Sequence, residues 1–203
     1  MLPIKLKMVN FLSHCESEVD FNKFDLALIL GSYDGEPDRS NGAGKTSILS
    51  AITWVLFGKS RHKKKDGVVK HDKRSCKVEF IFDVNGQLYK ITRYRDKQIG
   101  EEDVILEQVD GSNYKNISCD TNSATNEKIE ELVNMNYEVF VNSVYFKQND
   151  ISLFAESTQG KRKDILKSLL KMEIWDQYQK RAKDSATSLD SKIEEKTKRL
   201  INY

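Results

Sequence analysis

The sequence predicts an α/β fold, a mixed sheet with antiparallel hairpins around one phosphate-loop (P-loop) helix, continued by a long helix of coiled-coil type. Three observations predict it. An unbroken apolar run, Leu26-Ala27-Leu28-Ile29-Leu30-Gly31, leads to the glycine-rich segment Arg39-Ser40-Asn41-Gly42-Ala43-Gly44-Lys45-Thr46-Ser47. Alternating strands punctuated by Asn85-Gly86 and Asp110-Gly111 come next. Beyond Trp175, apolar residues recur at alternating steps of four and three.

Ile4, Leu6 and Met8 alternate with Lys5 and Lys7, the pattern of a half-buried first strand, and Val19 and Phe21 suggest a second. Leu26 to Leu30 lacks alternation, as expected of a strand buried on both faces. The residues Ser32 to Arg39 form an excursion between that run and the glycine-rich segment; Asp34-Gly35 and Pro37 are turn formers that let it bulge outward.

In the glycine-rich segment, small residues at Gly42, Ala43 and Gly44 allow consecutive backbone N–H groups to turn inward around phosphate oxygens. Lys45 adds a point charge for the β- and γ-phosphates, and the Thr46 hydroxyl suits Mg²⁺. Only the second half of the G-x-x-x-x-G-K-[ST] pattern is met, since Arg39 stands at the first glycine position. Arg39 either places a second cation near the phosphates or points to solvent. Ile48, Leu49, Ile52, Val55 and Leu56 then recur at helical spacing, and Gly58 sits where the helix ends.

Past that helix the period changes to two. Val78, Phe80 and Phe82 alternate up to the Asn85-Gly86 turn, Leu88 to Tyr94 returns as the partner, and Val104 to Gln108 adds another strand. From Asn126 helix takes over: Ile129, Leu132 and Val133 share a face, and Tyr137 to Val141 forms a short apolar helix. Val144 to Lys147 reads as a brief strand running into Gln148. A long helix begins after Gly160, with Ile165, Leu166, Leu169 and Leu170 on its packed side. Its far end carries Trp175, Gln179, Ala182, Ala186, Leu189, Ile193, Lys196 and Leu200, of which six of eight are apolar. That is either the a/d seam of a coiled coil awaiting a partner or the apolar stripe of a single surface helix.

A chain of 203 residues with 38% hydrophobic and 32% charged residues fits one domain with an appended element, its charge concentrated after Tyr178. Cys15, Cys76 and Cys119 include no C-x-x-C pair, which points to a reducing compartment without a disulfide framework or zinc site. No stretch reaches the apolar length of a membrane span, so the expected protein is soluble and intracellular, with no membrane partner. The net charge of +2 is too small to argue for nucleic acid. The local run Lys59-Ser60-Arg61-His62-Lys63-Lys64-Lys65 argues more. Arg61, Lys63, Lys64 and Lys65 are either nucleic-acid phosphate contacts or a solvated loop.

These blocks together resemble the N-terminal half of the SbcC-type double-strand-break repair ATPases, the Rad-fifty family, relatives of the SMC proteins among the ABC-type ATPases. The resemblance covers essentially the whole chain: Asn10-Phe11-Leu12-Ser13-His14, Ser40 to Ser47, the hairpin Lys77 to Arg95, Phe140 to Gln148, and Phe154-Ala155-Glu156-Ser157. It implies an ABC-type half-head over 1–160, with 161–203 leading into the coiled coil, and ATP and Mg²⁺ as cofactors. Asn41 to Ser47 would hold the phosphates, with Lys45 as the catalytic charge. Gln148 would be the Q-loop glutamine, a catalytic residue and a Mg²⁺ ligand opposite Thr46. The family places Asn10 to His14 beside the adenine and ribose. It typically has a basic residue where Leu12 stands here, which leaves Ser13 and His14 as contacts. Lys70, between Val69 and His71, resembles a second nucleotide-contacting segment.

An ABC-type engine also needs a Walker B acidic pair, a signature loop and a switch histidine. No run of four or more aliphatic residues ending in Asp-Glu exists here, and the family carries these parts in its C-terminal half. The expectation is therefore half of one ATPase head, binding nucleotide weakly and scarcely hydrolysing it alone. Its implied partners are the C-terminal half, a second head that closes on ATP, an SbcD-type nuclease and double-stranded DNA, in a nucleoid or nucleus. An SMC-type chromosome-organising ATPase or a RecF-type repair ATPase would share the fold, although the seam after Trp175 disfavours RecF. A small-molecule P-loop kinase would continue in parallel strands, and a structural adaptor would have no need of Lys45 and Thr46.

Overall fold

The computed structural model describes residues 1–32, 42–60, 64–145, 158–169 and 172–201. It separates into two units, Met1–Tyr137 and Glu138–Tyr203. In the first, six strands form one sheet: β1 (Leu2–Phe11), β2 (His14–Asp20), β3 (Ser75–Val84), β4 (Gln87–Asp96), β5 (Glu101–Asp110) and β6 (Asn113–Asn116). Their order is β2-β1-β3-β4-β5-β6, and every pairing among them is antiparallel.

Period-two patterning decides which face is covered. Leu6 and Met8 of β1, Val78, Phe80 and Phe82 of β3, Ile91 of β4, and Val104 and Leu106 of β5 are all buried. The opposite face carries a charge ladder, with Lys5–Glu18 at 2.8 Å, Lys7–Glu16 at 3.2 Å and Lys90–Glu79 at 3.5 Å. Asn85 and Gly86 both adopt positive φ (54° and 84°), the two-residue turn that matches strand twist, and β3 and β4 pair in register from Val84↔Gln87 outward.

Helices α1 (Lys45–Phe57) and α2 (Asn122–Val133) pack on the covered side, α1 against β1, β3 and β4 and α2 against β5. Phe11 of β1 meets Trp54 of α1 with ring centroids 5.4 Å apart. Helix α1 is buried along nearly its whole length from Ser50 to Phe57, so it is a core element rather than an amphipathic surface helix. It closes at Gly58, whose φ of +64° is the left-handed C-terminal cap and whose N–H donates to the Trp54 carbonyl at 2.8 Å. Helix α2 starts earlier than the apolar pattern indicates, because Thr121 caps it, its hydroxyl accepting from the Ala124 N–H at 3.2 Å.

Three charged residues are buried among the described ones: Asp96, which accepts from Arg74 Nε at 2.7 Å, and two arginines. Arg93 is only 1% exposed and follows Ile91 in the inward register of β4. Its Nε donates to the Val55 carbonyl (3.1 Å), Nη2 to Asn126 Oδ1 (2.6 Å) and Nη1 to Glu102 Oε1 (3.4 Å). Burial pulls the guanidinium down to about 10, against the pull of Glu102, so it stays charged at neutral pH. Arg95, next inward on β4, donates from Nε and Nη2 to Asp66 Oδ1 at 2.9 and 2.7 Å. This pins the 3-10 turn Lys65–Val68.

The structure corrects several expectations. Leu26 to Leu30 forms no ladder with any described residue, Leu26 lies in a bend, and Leu26, Leu28 and Leu30 are 94, 83 and 79% exposed. A strand without alternation needs neighbours on both edges and cover on both faces, and the described residues supply neither there. Among the described residues the strands pair antiparallel, as the hairpin turns in the sequence predict. The second strand begins at His14 and stops at Asp20, whose carboxylate accepts from the Asn22 N–H (3.1 Å) and turns Phe21 into a 3-10 helix.

Helix α3 (Tyr137–Ser143), which begins at the last residue of the first unit, is followed in the second by a turn where the sequence predicts a strand. The Val144 and Tyr145 N–H groups both donate to the Phe140 carbonyl at 2.9 Å, so these residues close the helix. Phe146 and Lys147 lie outside the described residues. The long helix comes as two, α4 (Gln159–Leu169) and α5 (Glu173–Ile201). On α4 the expected packed face shows Leu166 46% exposed, while Ile165, Leu169 and Leu170 fall outside the described side chains. On α5 the seam residues Trp175, Leu189 and Ile193 are 65, 58 and 61% exposed. No helix among the described residues is long and apolar enough to cross a membrane.

Candidate functional site

The site is built where the β1–β2 turn meets the start of α1. Asn10 and Leu12 both hold left-handed backbone (φ 53° and 50°), a conformation that non-glycine residues adopt at a cost and that tends to be kept where it serves a site. Neighbouring chain sustains it. The Leu12 N–H donates to the Val68 carbonyl (2.8 Å), the Lys70 N–H donates to the Asn10 carbonyl (2.9 Å), and Phe11 bridges Val69. The Lys70 ammonium donates to the Ser13 carbonyl at 3.3 Å. The turn and the segment 68–70 therefore form one unit.

That unit abuts the phosphate loop. Gly44 caps α1 with φ +87° and ψ 7°, and Gly42 also has φ +87°. The Gly44 carbonyl accepts the first bond of the helix from the Ser47 N–H at 2.9 Å. Ser13 Oγ lies 3.3 Å from Ser47 Oγ, and His14 Nε2 lies 3.1 Å from the Gly44 carbonyl oxygen. A Cβ on Gly44 would stand 2.5 Å from Ser13 Oγ and 3.0 Å from His14 Nε2. Glycine is thus required twice at this position, for its dihedral and for the approach of the turn.

The helix start is arranged for an anion. No side chain caps α1 among the described residues, its first turn carries no acidic residue, and its opening N–H groups point out of the N-terminus. Lys45 is half-buried there, Ser47 is buried, and Thr46 is exposed at the second helical position. Such a cradle fits the phosphates of a nucleotide, with Lys45 supplying charge and Thr46 an oxygen for Mg²⁺.

The structure thus brings Gly42, Ala43, Gly44, Lys45, Thr46 and Ser47 together with Ser13, His14 and Lys70. Asn41 and Gln148, the latter expected from the sequence as a Mg²⁺ ligand, lie outside the described residues. Of the basic run, Arg61 and Lys63 also lie outside; Lys64 is exposed, and the Lys65 ammonium sits 3.5 Å from Glu102 Oε2. Sequence reasoning missed Ser17, whose Oγ is 2.8 Å from His14 Nδ1, and the Arg93 and Arg95 networks. The alternation Ile91, Arg93, Arg95 carried the signal for the arginines, since it places all of them on the covered face.

A glycine-rich turn that opens an uncapped, buried helix against a sheet defines the P-loop class of nucleotide-binding ATPases. The family follows: a model described as AAA domain matches residues 5–202, and the chain belongs to that family. Its relatives are of the SbcC/Rad50 type. A DNA double-strand break repair Rad50 ATPase from Methanocaldococcus jannaschii is 32% identical over 89% of this chain and 16% of the relative. The SbcC component of the SbcCD nuclease from Staphylococcus saprophyticus is 28% identical over 100% of this chain and 21% of the relative. The chain thus spans about a fifth of the length of these curated relatives. Among solved structures, an SMC head domain from Thermotoga maritima matches 54% of this chain and 39% of its own, with 25% identity and a TM-score of 0.40.

The close approach at Gly44 is testable by itself. Gly44→Ala combines left-handed strain of about 1–2 kcal/mol with the Ser13 clash, so urea unfolding is expected to show a loss exceeding the strain alone. Adding Ser13→Gly should relieve the 2.5 Å contact and recover part of the loss, leaving the strain and the His14 approach. A Gly44→Ala variant as stable as wild type would mean that turn and loop do not meet in this way.

Proposed function

We propose that this chain is the nucleotide-binding N-terminal lobe (1–160) of an SbcC/Rad50-type ATPase head, with 161–203 leading into its coiled coil. The single observation that carries the reading is the convergence of Ser13 and His14 on the loop Gly42 to Ser47, with Lys70 held to the Ser13 carbonyl beside it. These segments lie apart in the sequence, and they meet at one helix N-terminus. ATP would lie with its phosphates on Asn41 to Ser47 and Mg²⁺ between Thr46 and Gln148. Lys45 and Gln148 would act in hydrolysis, Gln148 positioning water or reporting the γ-phosphate.

Hydrolysis on this reading requires a Walker B acid and a signature loop from a C-terminal half, and a second head to close over the nucleotide. The names of the relatives point to the wider role, repair of DNA double-strand breaks, with an SbcD-type nuclease as partner to the SbcC-type chain. The exposed seam of α5 would be covered by the returning helix or by a helix of the nuclease. Double-stranded DNA would be contacted through Arg61, Lys63 and Lys64, with Lys65 shared with Glu102.

Lys45→Ala is expected to abolish binding of a non-hydrolysable ATP analogue in calorimetric titration, because backbone amides alone do not balance a triphosphate. Affinity equal to wild type would refute the nucleotide assignment. For DNA, alanine at Arg61, Lys63 and Lys64 should weaken binding equally across sequences. It should also flatten the log–log salt dependence by roughly one unit for each phosphate no longer neutralised. An unchanged slope would make the run a solvated loop.

A further inference from the structure

His14 enters the site with both ring nitrogens occupied by protein. Nε2 lies 3.1 Å from the Gly44 carbonyl and Nδ1 lies 2.8 Å from Ser17 Oγ. A carbonyl oxygen only accepts, so Nε2 carries the proton and donates. In the neutral ring Nδ1 then accepts, and the Ser17 hydroxyl donates to it. Ser17 is three residues along, on β2, and its hydroxyl holds the ring in one orientation.

The carbonyl that His14 grips belongs to the peptide Gly44–Lys45. This peptide is trans and planar, so its C=O and the Lys45 N–H point in opposite directions. Fixing the carbonyl toward His14 and the Ser47 N–H fixes the Lys45 N–H outward from the helix N-terminus, where an anion is received. Without that grip Gly44 has the freedom of a residue lacking Cβ, and the peptide plane can rotate away.

We propose that His14, oriented by Ser17, is a positioning residue for the phosphate cradle: it sets the Gly44–Lys45 peptide plane and acts on the polyphosphate through the backbone instead of contacting the base or sugar. This rests on the nucleotide reading above. It assigns His14 a different role from the adenine-side contact that the family resemblance implies, and the two roles separate by ligand. A cradle-positioning residue affects every polyphosphate equally, whereas an adenine or ribose contact affects only the nucleoside-bearing one.

The test uses the full-length gene product and two probes with Mg²⁺, a non-hydrolysable ATP analogue and inorganic tripolyphosphate. His14→Phe keeps a ring and removes the donor; it should weaken both probes by the same factor, about three- to tenfold, the worth of one hydrogen bond. His14→Gln places an N–H donor at the reach of Nε2 and should restore both to within about twofold of wild type on the same scale. Ser17→Ala should weaken both probes by a smaller common factor, and it decides the matter if His14→Phe does not fold.

The proposal is overturned if His14→Phe weakens the ATP analogue and leaves tripolyphosphate unchanged, which would make His14 a nucleoside contact. It is equally overturned if His14→Phe matches wild type, if the glutamine variant is as weak as the phenylalanine one, or if Ser17→Ala, when it must decide, binds as wild type. Should the wild type bind neither probe, the nucleotide reading itself falls and this inference with it. If wild type binds and only the variants disagree, the function stands and the role of His14 alone is lost.

Discussion

A guanidinium leaves water only when its N–H groups find partners and its charge a counter-ion, and the way Arg93 meets those demands sets the position of the phosphate-loop helix. Its Nε takes the Val55 carbonyl from the last turn of α1, its Nη2 takes Asn126 of α2, and Glu102 of β5 supplies the opposite charge. Helix, second helix and sheet thereby share one buried group. Gly58 makes room for it: a Cβ there would stand 3.1 Å from Arg93 Nη1. The glycine that ends the helix is also the glycine that admits the arginine.

With its C-terminal end fixed in this way, α1 delivers its N-terminus to a defined place, the Asn10–His14 turn. That turn is strained at Asn10 and Leu12 and is sustained by the segment 68–70. The 3-10 turn ahead of that segment is pinned by Arg95 through Asp66. Both inward arginines of β4 therefore bear on the proposed phosphate site, Arg93 through the helix and Arg95 through the turn's support. The basic residues Lys64 and Lys65 border the same 3-10 turn, which puts the proposed DNA contacts and the nucleotide site on one stretch of backbone.

Much of this was legible in the sequence where local chemistry decides local structure. The Asn85-Gly86 hairpin, the alternation of β3, the glycine-rich turn with the helix it opens, and the long helix α5 all follow from residue type and spacing. Segments whose structure depends on distant partners were misread. Leu26 to Leu30 has a strand's composition but no ladder among the described residues, and Val144 and Tyr145 spend their N–H groups on the end of α3. For the site, the sequence suggested Ser13, His14 and Lys70 only by resemblance. That they touch Gly44, Ser47 and each other depends on the left-handed turn at Asn10 and Leu12, which nothing in those residue types announces. Ser17 escaped notice because a serine on an edge strand has no distinguishing neighbours in sequence.

One proposed anion-binding locus, formed by the start of α1 and the turn beside it, is the working centre on which this reading of the chain rests. Backbone amide NMR of the ¹⁵N-labelled protein, followed while Mg²⁺ and an ATP analogue are added, tests it most directly. The largest shifts should fall on Gly42 to Ser47, with smaller ones on Ser13, His14 and Lys70, while Ile105 and Tyr114 at the far end of the sheet stay still. Shifts centred instead on the cleft at the other end of α1, between Trp54, Lys59 and Tyr137, with the glycine-rich loop unmoved, would contradict it.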